Sequence, residues 1–343
     1  MRRTVLKALL AAPAAAVFPS VVLAQAGKIE KPRLTIAVGG KNLFYYLPLT
    51  IAERLGYFKD AGLTVQIPDF AGGSKALQAL VGGSADIVSG AYEHTILMQA
   101  KEQWVESFVL QGRAPQIALA VSNKTLPGYQ SLADLKGKKI GVTAPGSSTA
   151  IMASFVLAKA GLKPSDVSFI GVDGGAGAIT AMRTGQIDAI ANLDPVISAL
   201  ERESLIRIVV DTRTLKDTLA VYGGPMPAGC LYSYGKFVQE NPNTVQAVTG
   251  AMVRALRWLQ RAAPSDLVKT VPSEYLLGDQ PLYLAAWSRV KEAISPDGLM
   301  PADGPATALK VMQSFEPEVK GRAIDLGKTW TNAFAQRAAE QYP

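Results

Sequence analysis

The feature that most constrains this chain is a stretch that occurs twice. GGSKALQALVGGSADIVSG (Gly72–Gly90) returns as GGAGAITAMRTGQIDAIAN (Gly174–Asn192). Gly72 and Gly174, Gly83 and Gly185, and Asp86 and Asp188 are each 102 residues apart, with no gap. Each copy opens on a glycine pair and continues with apolar residues at helical spacing (Ala76, Leu77, Leu80; Ala178, Ile179, Met182). Each then stops at glycine (Gly82 or Gly83; Gly185), as a left-handed helix cap requires. An acidic residue leads from there into a short apolar run, the pattern of a buried strand.

The echo reaches upstream. AGL followed by TVQI (from Ala61) resembles AGL followed by KPSD and VSFI (from Ala160). LTIAVGG (Leu34–Gly40) and KIGVTAPG (Lys139–Gly146) stand before them. Each half therefore reads strand, helix, strand, helix, strand, which predicts a parallel sheet with helices on both faces. Two such units predict two similar lobes. The period is too long and the copies too few for a solenoid.

The chain of 343 residues is long enough for two domains, and 48% hydrophobic with 18% charged residues fits a globular chain with a substantial core. It begins with a leader: MRRTVLK is basic, ALLAAPAAAVFPSVVLA is apolar, and VLA and AQA offer small-residue cleavage sites before Gly27. Export to the periplasm is expected, by the general route or, given RRTVLK, by the twin-arginine route. The formal charge of +7 includes Arg2, Arg3 and Lys7 of the leader; without them 32 basic residues face 28 acidic ones, a balance of +4. With no dense Lys/Arg block, the composition argues against a nucleic-acid partner and is compatible with an anionic small ligand. Cys230 is the only cysteine, so an internal disulfide is excluded, and a buried inert thiol is expected.

In open α/β sheets, ligands gather at the carboxyl ends of strands. That rule selects GGKNLFYY after the first strand, with Asn42, Phe44, Tyr45 and Tyr46 as pocket wall or lobe core. It selects Ser74, at a helix start that favours an anion or acceptor oxygen or serves as a plain N-cap. It also selects AYEHT, where Tyr92, Glu93 or His94 could bond a ligand or Glu93 could support the first turn of a helix. The turn APGSST brings Ser147, Ser148 and Thr149 to a helix start, an oxygen-binding arrangement in which one hydroxyl must cap. Asn192 and Asp194 end the last strand of the echo, and Asp194 before Pro195 is also a good cap. Tyr222 is a candidate cover. Lys41 and Arg113 would suit a strongly anionic ligand, and Glu93 and Asp194 with the aromatics a neutral or cationic heterocycle.

Enzymatic and metal motifs are weak. One histidine cannot build a His/Asp/Glu metal cluster. No G-x-S-x-G elbow accompanies it, SYGK lacks the companions of an S-x-x-K enzyme, and no phosphate-binding G-x-x-x-x-G-K-[ST] loop occurs. PDGLMPADGP lacks a calcium-loop pattern.

Four pieces in order carry a resemblance: a proline-started helix (LPLTIAERL), GYFKDAGLTV, GGSKALQALVGGSAD and SLADLKGK. Together they resemble the periplasmic solute-binding proteins of the nitrate, sulfonate and taurine import type, whose relatives bind thiamine-precursor pyrimidines. The likeness covers roughly residues 34–213. It implies an α/β, two-lobe periplasmic-binding-protein type II fold, each lobe a mainly parallel sheet flanked by helices. The expected division is a signal peptide at 1–26, lobe 1 at 32–122 plus 223–343, and lobe 2 at 123–222. It implies ligand contacts on the Ser147–Thr149 turn and cleft-facing residues near Asn192. It implies a small solute (sulfonate, nitrate-like or aromatic carboxylate), no cofactor, a membrane permease of an ABC importer as partner, and a monomer that makes and breaks no bond. The alternatives are a thiamine-precursor pyrimidine binder and an exported enzyme on the same fold.

Overall fold

The computed structural model describes residues 27–342; the leader lies outside them. Among the described residues, eleven strands form two sheets. The first takes β1 (Arg33–Gly39), β2 (Thr64–Gln66), β3 (Asp69–Phe70), β4 (Ile87–Ala91), β5 (Val105–Leu110) and β11 (Gly229–Tyr234). Its order is β2-β1-β4-β11-β5, with β3 also paired to β1. The second takes β6 (Ile117–Ser122), β7 (Lys139–Val142), β8 (Ser168–Gly171), β9 (Ala189–Leu193) and β10 (Ile206–Asp211), in the order β10-β6-β9-β7-β8. Pairing is parallel around β1 and β7. β11 and β6 run antiparallel to their neighbours, so each sheet is mixed.

The repeat builds equivalent elements. Its helices are Gly73–Val81 and Ala176–Thr184, and Gly83 and Gly185 follow them with φ of 74° and 81°. The strands after them, β4 and β9, keep the 102-residue spacing at both ends. The repeated acid has one structural task. Asp86 accepts the Thr35 N–H at 2.9 Å while its own N–H donates to Thr35 O. Asp188 does the same to Lys139, at 3.0 Å. Each acid thus ties the start of its last strand to the first strand of its lobe.

Two positions differ from the sequence reading. Ile117–Ser122 pairs with β9 and β10, so the first lobe's leading run ends at β5 rather than at residue 122. The chain crosses between sheets at 111–116 and returns before β11. The two crossings are bonded side by side: Gln111 and Gly112 donate to Gly229 O, Ala228 donates to Gly112 O, and Gln116 donates to Thr212 O. The second difference is β11, which lies between β4 and β5 in the middle of the first sheet, where the SYGK segment gave no strand expectation.

After β11 the chain is helical. The long helix Pro242–Arg261 packs on the helix Leu47–Arg54 and on β5 of the first lobe. The helix Gln280–Val290 lies against Val196–Arg202 of the second. No helix among the described residues is long and apolar enough to cross a membrane.

Candidate functional site

The two repeated glycine turns each press on the opposite lobe. A Cβ on Gly72 would stand 2.8 Å from Ala144 Cβ, 2.9 Å from Ala144 N and 2.9 Å from Ser147 Oγ; a Cβ on Gly174 would stand 2.7 Å from Leu43 Cδ1. At Gly72, where a backbone nitrogen is met, only glycine permits approach this close; at Gly174 the neighbour is the Leu43 side chain. The contacts are reciprocal: Ser147 follows Leu43 by 104 residues, the spacing that also separates Thr35 from Lys139. Each lobe therefore sets its first strand–helix turn against the other lobe's glycine-opened helix, a closed arrangement.

Polar contacts seal this seam. The Ser74 N–H donates to Ser147 Oγ at 3.0 Å, the Ser147 hydroxyl donates to Ser74 Oγ at 3.1 Å, and the Ser74 hydroxyl donates to Pro145 O at 2.8 Å. Neither serine hydroxyl caps its own helix; both join the lobes. Asn42 Nδ2 donates to Gly174 O at 2.8 Å on the other side. Removing that bond in Asn42→Ala should weaken closure by about 1 kcal/mol and solute affinity about fivefold, checked by titration calorimetry.

His94 adds a third link. Its Nε2 lies 3.2 Å from Gly146 O, and Nδ1 lies 2.9 Å from the Tyr232 hydroxyl. A carbonyl only accepts, so Nε2 carries the proton and Nδ1 accepts from Tyr232. Burial drives the imidazole pKa down to about 4, against the opposing pull of the Gly146 carbonyl, so the ring is neutral at ordinary pH.

Below the seal, Tyr45, Tyr222, Tyr232 and Cys230 all lie within electrostatic reach of Glu93, and the Ser148 hydroxyl reaches Tyr45. Tyr45 is fully buried, edge-on to Tyr46 at 4.9 Å, with the Ser148 hydroxyl of the other lobe acting on its phenol. Tyr222 stacks on Phe155 at 5.1 Å and 18°. Glu93 is 4% exposed, and its Oε2 has no hydrogen-bond partner. Burial lifts its carboxyl to about 7, only partly offset by its own backbone N–H. The Cys230 thiol is buried as expected, and burial pushes its pKa up to about 12.

Other sequence candidates turn into packing. Phe44 lies between Tyr283 and Trp287, at 4.7 and 5.6 Å. The Tyr92 hydroxyl is 2.6 Å from Thr329 Oγ1. Thr149 Oγ1 accepts the Thr143 N–H at 3.0 Å within the second lobe. Thr149→Ala should therefore lower stability by about 1–2 kcal/mol in chemical denaturation while leaving solute affinity nearly unchanged. Asn192 braces the Gly174 turn by donating to Asp173 O at 3.0 Å, and it accepts the Leu193 N–H. Asp194 accepts the Ser198 N–H at 2.9 Å and faces buried Arg213 at 3.4 Å. The N-cap position itself falls to Pro195, so Asp194 braces the first turn from one residue outside it, with an ion pair that its sequence neighbourhood did not signal.

The basic candidates lie outside this buried cluster, Lys41 on the groove beside the seal. Lys41 pairs with Glu53 at 2.5 Å, and Arg113 Nε donates to Glu292 O on the surface. Arg213 is held by Asp194, Glu201 and Asp211. A groove of about 1180 Å³ opens beside the seal, with Asn42 and Asp69 on one wall and Asp173 and Gly175 on the other.

Two α/β lobes joined by paired crossings, with strand ends of both facing one cleft, have the fold of the periplasmic solute-binding proteins. The chain belongs to the NMT1-like family, whose model matches residues 27–271. A solved protein of Bordetella bronchiseptica RB50 is 61% identical over 92% of this chain and 99% of its own, with a TM-score of 0.91. The alkanesulfonate-binding protein SsuA of Xanthomonas axonopodis pv. citri, solved with MOPS, shares the fold at 22% identity and a TM-score of 0.68, covering 89% of this chain and all (100%) of that one. YtlA of Bacillus subtilis, which carries the name of a binding protein, is 23% identical over 261 residues, 75% of each chain.

Proposed function

We propose that this chain is the extracytoplasmic substrate-binding component of an ABC importer. A small organic solute enters the open cleft, is enclosed where Tyr45, Glu93, Ser148 and Tyr222 meet, and is handed to a membrane permease that recognises the closed form. The observation that carries this reading is the reciprocal seal of Gly72 on Ala144 and Gly174 on Leu43. Such a seal suits surfaces that part and meet again around a guest, by hinge closure. The leader and the sulfonate-binding fold relative support the same reading. The protein works as a monomer, and no bond of the solute is made or broken.

The test uses purified protein without residues 1–26, screened by thermal shift against sulfonates, nitrate, aromatic carboxylates, amines and pyrimidines. A true solute at about 100 times its Kd should stabilise by roughly 2.7 kcal/mol. The same solute should reduce the radius of gyration in X-ray scattering. Turnover of a bound candidate would assign an enzyme instead, and a panel without any shift or compaction would remove the solute-binding reading.

A further inference from the structure

We propose that the solute presents a cationic or strongly polarised N–H group to Glu93, so that the site selects amine-, amidine- or protonated heterocycle-bearing compounds over sulfonates and nitrate. This rests on the solute-binding reading and names the chemistry of that same site.

Glu93 begins the helix Glu93–Ala100, just beyond the carboxyl end of β4. Its charge raises the pKa of Tyr45, Tyr46, Tyr92, Tyr222, Tyr232 and Cys230, so these groups stand within electrostatic reach of it, and His94 is its chain neighbour. The second lobe reaches this cluster twice: Ser148 meets Tyr45, and Tyr222, on the helix that follows β10, stacks on Phe155 of the Ser148 helix. Two of the tyrosines are committed elsewhere, Tyr92 to Thr329 and Tyr232 to His94. Glu93 Oε2 is left buried without a donor. A buried carboxylate is stable when it meets a donor or a cation. The basic residues foreseen for an anion, Lys41 and Arg113, are engaged away from it. A sulfonate placed here would face like charge, whereas an N–H donor would complete the unpartnered oxygen and rest its body on tyrosine rings, which attract cations.

The experiment is calorimetric titration of the wild type and Glu93→Gln, at pH 8, with benzamidine, propylamine, benzenesulfonate and nitrate. Benzamidine or propylamine should bind the wild type, with affinity that rises between pH 6 and 8 as Glu93 ionises. Glu93→Gln should weaken that binding about tenfold or more and flatten its pH dependence, while thermal unfolding shows the variant folded. Binding of benzenesulfonate or nitrate that Glu93→Gln leaves unchanged would overturn the proposed class, as would failure of both cationic probes. If an anion binds and compacts the protein in scattering, solute binding stands and only the chemistry assigned to Glu93 falls.

Discussion

Placing valine at Gly72 should hold the two lobes apart. Gly72 has φ of −174° and ψ of 167°, extended backbone that any residue adopts. The cost therefore comes from space. The three atoms nearest an added Cβ all belong to the second lobe, and one of them is the Ala144 backbone nitrogen, which cannot rotate aside. Valine adds two methyl groups to that conflict. The variant should fold normally, because each lobe keeps its own sheet, yet scattering with saturating solute should give the radius of gyration of an open form. If closure falls to about 1% of molecules, apparent affinity falls on the order of 100-fold. Gly128→Ala, whose Cβ meets nothing within 4 Å, serves as the control. A Gly72→Val protein that binds and compacts like wild type would show that the glycine contact does not govern closure.

Glu93→Gln should also raise the stability of the unliganded protein at neutral and alkaline pH. The carboxyl titrates at about 7 when folded, against an ordinary value of 4.5. The folded state then binds more protons than the unfolded state between those limits, so stability falls as pH rises through that window. The loss is complete above pH 7 and amounts to about 3 kcal/mol for a fully buried group. Gln carries no such penalty. Urea denaturation should show the variant about 3 kcal/mol more stable at pH 8 and nearly equal to wild type at pH 4. His94, whose pKa is depressed by burial, is shared by both proteins and cancels in the difference. Equal stabilities at pH 8 would mean that Glu93 finds a donor when folded.

The doubled architecture was legible because its signals are local. Helix caps at Gly83 and Gly185, the acids that open β4 and β9, and the strand–helix alternation all lie within short windows. β11 was not legible, since what makes GCLYSY a central strand is its pairing with β4 and β5, more than a hundred residues upstream. The same holds for β6, whose apolar run suits either sheet until β9 and β10 claim it. At the site, sequence could name residues at strand ends but not where their side chains turn. Tyr45 and Tyr92 look alike in sequence; one meets the opposite lobe and the other bonds Thr329. Ser74 and Ser147 resemble ordinary caps and instead bond each other. Glu93 stands out only once its burial and its missing partner are known.

The place of β11 also orders the birth of the molecule. Every strand of the second sheet lies between residues 117 and 211, so that sheet can assemble from this segment alone. The first sheet has a gap between β4 and β5 until Tyr234 has been synthesised. The lobe that starts the polypeptide is therefore the last to be completed, and a nascent chain arrested before residue 229 would carry two unpaired strand edges in search of the one that joins them.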